Sequence, residues 1–583
     1  MSLNPFQVIV LATPVFLLMI AGEIAWGLAR GRNTYRLNDS LSSLSAGMLS
    51  QLTKVFTRAL RIGLYALVAG SISLVPAPAA DAFWTTWYGW LIALLFYDLC
   101  YYWLHRAGHE CAVFWAAHVV HHQSQDYNLS TALRQTSSGD LLGWVFYLPM
   151  AFAGVPPLVF GTVALIDLLY QFWVHTEHVP KLGWFDRWFC SPSNHRVHHA
   201  VNDGYLDRNY GGILIVWDRI FGSFREENEA CVYGTRSPLD SWDPLWSNVE
   251  VYWALARDSW HARAWSDKVR VWFKPPGWRP ADVAARFPKR RFELAAVRRF
   301  DPPIARGVAW LGTAQFALLL GAVLFFLWRA EAMPIGEASV WVAALAAGLW
   351  GVGALMQGRI TWLELLVLDA AALATATSAL GVMDWHRVFK PLVMALAIAM
   401  VIERGRRDPA ASRDKTLLLA ALVFSLAGDS LLMLPPSYFI PGLVAFLVAH
   451  LCYISLFKQR MRWFPSRKAL FATLAIGAGM YGFLFGHLGP VLRVAVAAYV
   501  IVISLMAAQA IGRAAALRDQ ASIAAAIGAA FFVVSDSLLA TNKFALALPL
   551  ASLWVLATYY AAQILIARFA LVSRLPRPFG ERE

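Results

Sequence analysis

Long apolar runs separated by short polar loops dominate the pattern of this chain. Many of the runs reach the roughly 20 residues that a helix needs to cross the hydrocarbon core of a bilayer. They predict an all-α, polytopic membrane protein, because a helix satisfies its own backbone hydrogen bonds in lipid. The expected single spans lie near residues 8–28, 55–74, 84–104, 307–328, 338–356, 363–381, 388–403, 416–434, 440–456, 469–487, 491–511, 520–540 and 547–570.

The first half also contains a broken apolar run and a long polar segment. The run over 141–171 is interrupted by Gly154-Val155-Pro156-Pro157 and predicts a helical hairpin that enters the membrane and returns. Residues 180–303 are charged and rich in tryptophan, and they predict a cytoplasmic cap. We therefore expect two domains: 1–358, which carries the cap, and 359–583, a transmembrane bundle of about eight helices.

The composition agrees with a membrane location. Of the 583 residues, 58% are hydrophobic, and the mean hydropathy is +0.50; soluble domains average about 45–50% apolar residues. The net charge of +13 does not indicate nucleic acid, because Lys and Arg lie mostly in short loops beside apolar runs. The five cysteines form no CxxC pair, so neither a disulfide framework nor a zinc ribbon is indicated.

The basic loops predict an orientation, since cytoplasmic loops carry an excess of Lys and Arg. With these loops inside, the N-terminus is expected outside and the C-terminus in the cytoplasm, in the inner (plasma) membrane if the protein is bacterial. The basic loops span residues 30–36, 404–415, 458–468, 513–518 and 574–582.

Three short histidine motifs carry the first chemical signal, and they hold eight of the chain's 14 histidines. Residues three and four apart share a helix face, so each motif is expected to direct two or three imidazoles the same way. Imidazole binds iron, zinc and copper, and eight such ligands exceed what one ion can use. The motifs predict a site for two metal ions, with ligands His105, His109, His118, His121, His122, His195, His198 and His199.

Over roughly residues 85–230, these motifs and the hairpins between them resemble the fatty acid hydroxylase (sterol desaturase) superfamily of dimetal membrane oxygenases. Three strings are most similar to its alkylglycerol monooxygenase family: HRAGHE from His105, YQFWVHTE from Tyr170 and SNHRVHH from Ser193. The string over 209–222 extends the resemblance. The resemblance implies two iron ions that activate O2 and insert one oxygen atom into a C–H bond beside an ether oxygen. The product of this insertion then releases a fatty aldehyde.

The resemblance has further implications for ligands and reductant. His175 is implied as a ninth ligand, and His178 is a weaker candidate. Tetrahydrobiopterin is implied as the reductant, whereas other superfamily members take electrons from a protein partner. Zinc can replace iron but is redox-silent. Glu110 is either a carboxylate that orients an imidazole or a solvated acid, and the sequence leaves both open.

Ionisable residues within predicted spans mark the second half. Such groups are costly in a bilayer, and they are functional candidates by default. Asp369 is expected to be structural. The remaining candidates are Lys390, Asp429, His450 and Asp536.

With their neighbours, these residues resemble the YhhN (lysoplasmalogenase) family over roughly residues 360–575. The strings that carry the resemblance are KPL from Lys390, GD ending at Asp429, FLVAHLCY around His450, SDS around Asp536 and YYAAQ from Tyr559. The resemblance implies hydrolysis of the vinyl ether of a lysoplasmalogen to a fatty aldehyde and a glycerophospho-base.

The implied catalytic groups are Asp429 and Asp536. Enol ethers hydrolyse by protonation at carbon, followed by attack of water on the oxocarbenium ion. One carboxylic acid and one carboxylate suit these two steps, but the sequence does not assign them. We expect His450 and Lys390 to orient water or the phosphate headgroup; a polar network that holds the helices together is the other interpretation.

The sequence thus predicts a fusion of an ether-lipid oxygenase with a vinyl-ether hydrolase. The alternative is a dimetal hydroxylase or desaturase of a sterol, carotenoid or fatty acyl lipid, joined to a non-catalytic lipid-binding bundle. The expected partners are ether lipids, lysophospholipids, O2, the membrane and an electron-donor protein.

Overall fold

α-Helices dominate the part of the chain that the computed structural model describes, residues 4–407 and 412–569. Within these ranges, two isolated bridges, Phe189 with Leu214 and Ala200 with Tyr233, are the only β contacts. Ten described helices are long and apolar enough to cross a membrane. The prediction of an all-α, multi-pass membrane protein is therefore confirmed. Two of the predicted basic loops fall wholly or partly on residues 408–411 and 570–583, which lie outside the described residues.

The chain divides into two compact units. The first comprises Met1–Met333 with Val352–Arg359, and the second comprises Pro334–Gly351 with Ile360–Glu583. The domain assignments made from the sequence, and the cytoplasmic position of the cap, stay predictions.

Seven α-helices form the main elements of the first unit. They are α1 (Pro5–Ala29), α2 (Leu37–Ser71), α3 (Trp87–Glu110), α4 (Pro157–Trp173), α5 (Pro192–His199), α6 (Pro244–His261) and α7 (Arg306–Arg329). Further α-helices of four to nine residues lie between them at Ala77–Trp84, Ala112–Ala116, Val119–His122, Leu129–Ala132, Gly139–Gly143, Leu148–Phe152, Phe185–Trp188, Val216–Ile220, Trp265–Phe273 and Ala281–Arg286. Single 3-10 turns occur at Trp144–Tyr147, Leu294–Ala296 and Ala330–Ala332.

Helix α2 is longer than the sequence indicates. The apolar pattern predicts a span only from residue 55, whereas the helix begins at Leu37 and runs without a break to Ser71. Its first half is polar yet buried: the Ser50 hydroxyl donates to the carbonyl of Thr136 at 2.7 Å, and Asp39 accepts from the backbone of Gln125 at 3.3 Å. Hydropathy alone misses this half, because polar side chains such as Asp39 and Ser50 form hydrogen bonds inside the protein.

The broken run over 141–171 forms the predicted helical hairpin. Its first arm is the series of short helices from Gly139 to Phe152, and its second arm is α4. Gly154 turns the chain with a φ of +75°, a conformation that glycine adopts without a steric penalty. Tyr65 and Trp84 donate to the carbonyls of Val155 and Ala153, at 2.9 and 3.0 Å, and thereby fix the turn.

The second unit is a helical bundle with an apolar core. Helix α8 (Ile335–Met356) begins in this unit, and its last turns, from Val352, group with the first unit. The bundle continues with α9 (Trp362–Ala379), α10 (Met383–Arg407), α11 (Ser412–Leu432), α12 (Phe439–Lys458), α13 (Arg467–Phe485), α14 (Pro490–Leu517), α15 (Gln520–Ala540) and α16 (Ala551–Phe569). A 3-10 turn at Pro436–Tyr438 precedes α12, and a π-helical turn at Thr541–Ala545 follows α15.

Helices α11 and α12 approach closely at Gly428. A Cβ at this position would lie 2.6 Å from the ring of Phe446, so only glycine allows the contact without a shift. The close approach places the next residue, Asp429, in the interior of the bundle, where it is 2% exposed.

Candidate dimetal centre and a second polar cavity

Nine buried or half-buried histidines gather into two clusters in the first unit. All nine were predicted from the sequence, including His175. Within each cluster the ligand atoms lie within 4.8 Å of one another. The five-histidine cluster contains His105, His109, His118, His122 and His198; the four-histidine cluster contains His121, His175, His195 and His199.

The two HxxHH motifs divide their histidines between the clusters. In α5, His195 and His199 join the four-histidine cluster, and His198 joins the other. Successive residues of an α-helix are rotated by about 100°, so positions i and i+4 nearly coincide while i+3 and i+4 diverge. Of the two or three imidazoles expected to share a direction, each HxxHH motif therefore points two into one cluster, and its i+3 histidine points into the other. The first motif shows the reciprocal division, because His118 and His122 enter the five-histidine cluster and His121 the other.

Backbone carbonyls orient several of the imidazoles. The Nδ1 atoms of four histidines lie 2.8–3.0 Å from carbonyl oxygens, which can only accept hydrogen bonds. Each Nδ1 must therefore carry the proton, and in the neutral ring Nε2 keeps its lone pair for a metal ion. The pairs are His105 with Tyr210, His121 with Arg134, His175 with Gln171, and His198 with Arg208.

Two of these four Nε2 atoms face each other, and neither carries a proton that could form a hydrogen bond between them. The Nε2 atoms of His121 and His175 are 3.1 Å apart, although both rings use their Nδ1–H elsewhere. Two nitrogens that bind one ion at right angles, each 2.0–2.1 Å from it, are about 2.9 Å apart. In addition, the Nε2 atoms of His109, His198 and His199 are buried without a hydrogen-bond partner. These observations fit ligands that converge on two transition-metal ions.

Burial keeps these imidazoles in the form that binds metal. Burial, reinforced by neighbouring imidazoles, lowers the pKa of His105, of His175 and of the six histidines named next, so these rings are neutral at physiological pH. For His121 the value falls to about 4, with burial as the largest cause. The pKa lies well below the ordinary value for His118, His122, His195, His198 and His199.

A buried arginine holds the turn that carries the first HxxHH motif. Arg134 is 2% exposed and donates to the carbonyl of Val120 at 2.6 Å and to the side chain of Gln123 at 3.1 Å. Its own carbonyl accepts from His121 Nδ1. Burial lowers the pKa of Arg134 to about 10, so the guanidinium remains charged at neutral pH. The Arg134 guanidinium therefore provides a fixed set of hydrogen-bond donors that hold the first HxxHH motif in place.

Glu23 ties helix α1 to the four-histidine cluster, a role that sequence reasoning missed. Its carboxylate accepts from the hydroxyls of Tyr35 and Thr176 and, at 2.9 Å, from the backbone of Leu129. Thr176 follows His175 directly. Because the first apolar run resembles a simple membrane anchor, its one acidic residue gave no signal of this contact.

Other predicted or neighbouring polar residues lie around the clusters. Glu110 pairs with Arg106 at 3.0 Å, is half-exposed, and accepts a long hydrogen bond of 3.5 Å from the Tyr210 hydroxyl. The carboxylate beside a cluster imidazole is instead Asp207, 3.5 Å from His109 Nδ1, which the sequence did not indicate. His178 belongs to neither cluster.

A second polar site lies in the helical bundle. A cavity of about 310 Å³ is lined by predicted residues Lys390, Asp429 and Asp536. His386, which stands alone in the sequence, also lines it, with its Nδ1 bonded to the carbonyl of Ala374 at 2.9 Å. The rest of the lining is largely apolar.

The two aspartates of this cavity have different partners. Asp429 accepts from the hydroxyl of Tyr559 at 2.6 Å and lies 3.4 Å from the ammonium of Lys390. Asp536 accepts from the hydroxyl of Tyr499.

His450 is fully buried and does not line the cavity. Its Nε2 lies 2.9 Å from the Tyr499 oxygen and 3.8 Å from Asp536. Because the Tyr499 hydroxyl donates to Asp536, His450 Nε2 is the donor to Tyr499, so His450 acts on Asp536 through the phenol. Sequence reasoning missed both tyrosines as partners of the aspartates.

Comparison with known proteins connects each site with a family. The fatty acid hydroxylase family model matches residues 90–223, and the YhhN family model matches residues 385–570. The zebrafish (Danio rerio) alkylglycerol monooxygenase is 35% identical over 402 residues, 67% of this chain and 85% of that protein. The bovine (Bos taurus) lysoplasmalogenase TMEM86A is 36% identical over 165 residues, 28% of this chain and 68% of that protein.

The chain belongs to the fatty acid hydroxylase and YhhN families. Both resemblances found in the sequence are thereby confirmed. The human (Homo sapiens) alkylglycerol monooxygenase is 40% identical over 271 residues, 46% of this chain and 59% of that protein. No solved structure matches the chain significantly. Membership of the fatty acid hydroxylase family implies a di-iron site, and the two histidine clusters of that part provide nitrogen ligands for it.

The division of the histidines between two clusters predicts selective metal loss. We expect His175→Ala to lower the iron content from about two ions per chain to about one, because it removes a ligand from the four-histidine cluster alone. Elemental analysis of the purified, iron-loaded protein measures this. His261→Ala, outside both clusters, serves as the control with unchanged iron. Equal loss of both ions from His175→Ala would contradict the division.

The Glu23 contacts predict that α1 supports the metal site. We expect Glu23→Ala to weaken iron retention by about tenfold or more, because the Thr176 and Leu129 donors lose their common acceptor beside His175. Iron loss during titration with a chelator measures this retention. Glu331→Ala serves as the matched control. Unchanged retention in Glu23→Ala would show that α1 does not support the cluster.

Proposed function

We propose that this protein carries two enzymes of ether-lipid catabolism. The fatty acid hydroxylase part cleaves the alkyl ether of alkylglycerols with O2, and the YhhN part hydrolyses the vinyl ether of lysoplasmalogens. The names of the relatives support these substrate classes. The observation that carries the oxygenase proposal is the pair of histidine clusters with unprotonated Nε2 atoms turned inward.

In the oxygenase, the nine histidines would hold the iron. When bound, the iron pair supplies O2 activation and insertion of one oxygen atom into the C–H bond beside the ether oxygen. The second oxygen atom leaves as water, with two electrons from tetrahydrobiopterin or from an electron-donor protein, and two protons. The carbonyls of Tyr210, Arg134, Gln171 and Arg208 keep the Nε2 lone pairs directed at the metal, and burial excludes bulk water. Zinc would preserve this geometry without the redox chemistry.

The hemiacetal formed by oxygen insertion then breaks down to a fatty aldehyde and a free glycerol hydroxyl. This step needs proton transfer but no oxidant.

Glu110 is paired with Arg106 at the edge of the site, where it supports the helix that carries His109. We assign it a positioning role, since it touches a cation rather than an imidazole.

In the hydrolase, the two aspartates divide the proton chemistry. Lys390 beside Asp429 stabilises a negative charge there, and this carboxylate would activate water and stabilise the oxocarbenium ion. Asp536 has no ammonium partner among the described residues, and it would donate the proton to the vinyl carbon. His450 holds Tyr499 against Asp536 and is a positioning residue. Addition of water gives the hemiacetal, which breaks down to the fatty aldehyde and a glycerophospho-base.

The protein is a multi-pass membrane protein. We propose the orientation inferred from its basic loops, with the N-terminus outside and the C-terminus in the cytoplasm, in the plasma membrane if it is bacterial. A cytoplasmic histidine site would receive reductant from the cytosol and lipid from the bilayer. The cytoplasmic cap formed by residues 180–303 belongs to the same proposal.

The oxygenase proposal is tested with an alkylglycerol and purified membranes. We expect aldehyde release that requires O2 and reduced pterin and that falls at least a hundredfold in His198→Ala, because an O2-activating site depends on its ligand set. Lysoplasmalogen hydrolysis by the same variant provides the control and should remain. Turnover of a sterol, a carotenoid or a fatty acyl lipid instead of the alkylglycerol would support the alternative oxygenase. Full activity of His198→Ala would refute the ligand assignment.

The hydrolase proposal is tested with a lysoplasmalogen under strict exclusion of O2. We expect aldehyde release to persist in the native protein and to fall at least a hundredfold in Asp429→Asn and in Asp536→Asn, since neither amide can act as acid or base. Alkylglycerol cleavage by these variants controls for folding and insertion. Hydrolysis that survives both substitutions would indicate a bundle without catalytic aspartates.

A further inference from the structure

Lys543 lines the same cavity as the two aspartates and was not singled out by the sequence. It lies in the π-helical turn Thr541–Ala545 that directly continues α15, the helix of Asp536. Both residues contribute to the wall of the cavity. They are seven positions apart in the sequence, and because both line the cavity they lie on the same side of this helix.

Lys543 is available to a ligand, whereas other cations at this end of the bundle have partners. Lys390 lies 3.4 Å from Asp429, and Arg387 lies 3.1 Å from Asp384. The Lys543 ammonium is exposed and lies 4.5 Å from the ring centre of Phe439, and it forms no ion pair with a described carboxylate. A cation that stacks on an aromatic ring at a cavity wall is already positioned to bind an anion.

Asn542 adds a neutral donor beside the ammonium. Its side-chain oxygen accepts the backbone N–H of Leu548 at 2.9 Å, which fixes the amide orientation. The amide nitrogen therefore remains as a donor, and Asn542 is part of the cavity wall. An ammonium and an amide N–H₂ together suit a phosphate oxygen, which accepts from both.

The separation of Lys543 from Asp536 matches the chemistry of a lysophospholipid. The α-helical rise of 1.5 Å per residue places their backbones at most about 10 Å apart along the helix, since the π-helical turn is wider and rises less per residue. In the substrate, seven bonds separate the vinyl carbon that Asp536 would protonate from phosphorus, and this distance is about 9 Å when three bonds span 3.8 Å. The reach of the lysine side chain covers the difference. A lipid whose vinyl ether meets Asp536 thus has its phosphate within reach of Lys543.

The apolar wall of the cavity accounts for the remainder of such a lipid. Leu484, Met480 and Ile476 line it at spacings of four residues, so they form a stripe along one face of α13. This stripe runs from the last turn of the helix, which ends at Phe485, back toward its middle, where Ile476 is exposed. A long alkenyl chain would lie along it, while the headgroup stays near the helix ends.

We propose that Lys543, assisted by Asn542, binds the phosphate of the lysolipid headgroup and makes the hydrolase selective for phosphorylated over neutral alkenylglycerols. The inference rests on the proposed vinyl-ether hydrolase activity and names the headgroup chemistry that this activity selects. Lys543 is a specificity-determining residue and takes no part in the proton transfers.

The experiment compares a 1-alkenyl-glycerophosphoethanolamine with the corresponding 1-alkenylglycerol. Full-length protein is assayed in uncharged detergent without O2, so that the oxygenase is silent. In Lys543→Gln, we expect KM for the phosphorylated substrate to rise about tenfold or more, with kcat nearly unchanged, because a charged hydrogen bond to the headgroup is lost. Turnover of the neutral substrate should not change, and it reports correct folding. Lys543→Arg should retain most of the preference.

A matched control is Lys468→Gln, which removes another exposed lysine of the bundle that does not line the cavity. It should leave both substrates unaffected. If Lys543→Gln changes neither substrate, or changes both equally, the headgroup assignment fails while the hydrolase remains. If the native protein releases no aldehyde from either substrate, the proposed hydrolase fails, and the inference fails with it.

Discussion

The structure of the first unit depends on one electrostatic constraint: buried imidazoles with lone pairs directed at each other need a cation between them. His121 and His175 show this most clearly, since both rings donate their Nδ1–H to a backbone carbonyl and their Nε2 atoms are 3.1 Å apart. Neutral acceptors that face each other repel, and burial denies them water as a donor. Metal coordination satisfies every such atom at once, so the surrounding fold can be understood as the support of two ion sites.

The two halves of the chain use buried polar groups in different ways. In the first unit, backbone carbonyls and Arg134 organise neutral ligands, a set suited to a redox metal. In the second unit, an ammonium and two phenols surround a pair of carboxylates, which suits proton transfer without a metal. The chemistry proposed for each half follows from this difference, and both reactions end in a hemiacetal that releases an aldehyde.

Much of this arrangement could be predicted from the sequence, because helical spacing fixes which residues share a face. All nine histidines were identified in this way, but their division was not, since the i+3 position of His198 turns it toward the other cluster. Glu23 gave no signal, because its donors come from distant segments of the chain. Lys543 and Tyr499 were missed for the same reason. The sequence shows an exposed loop lysine and a tyrosine within an apolar run, and only the folded bundle shows that both residues line the cavity of the aspartates.

The central claim is that two ions are held by imidazole nitrogens alone on the protein side. X-ray absorption at the iron edge of the iron-loaded protein tests this most directly. The expected spectrum has a first shell of nitrogen and oxygen near 2.1 Å and strong outer-shell scattering from imidazole rings, with no sulfur ligand. A first shell without imidazole scattering, or one that contains sulfur, would contradict the claim.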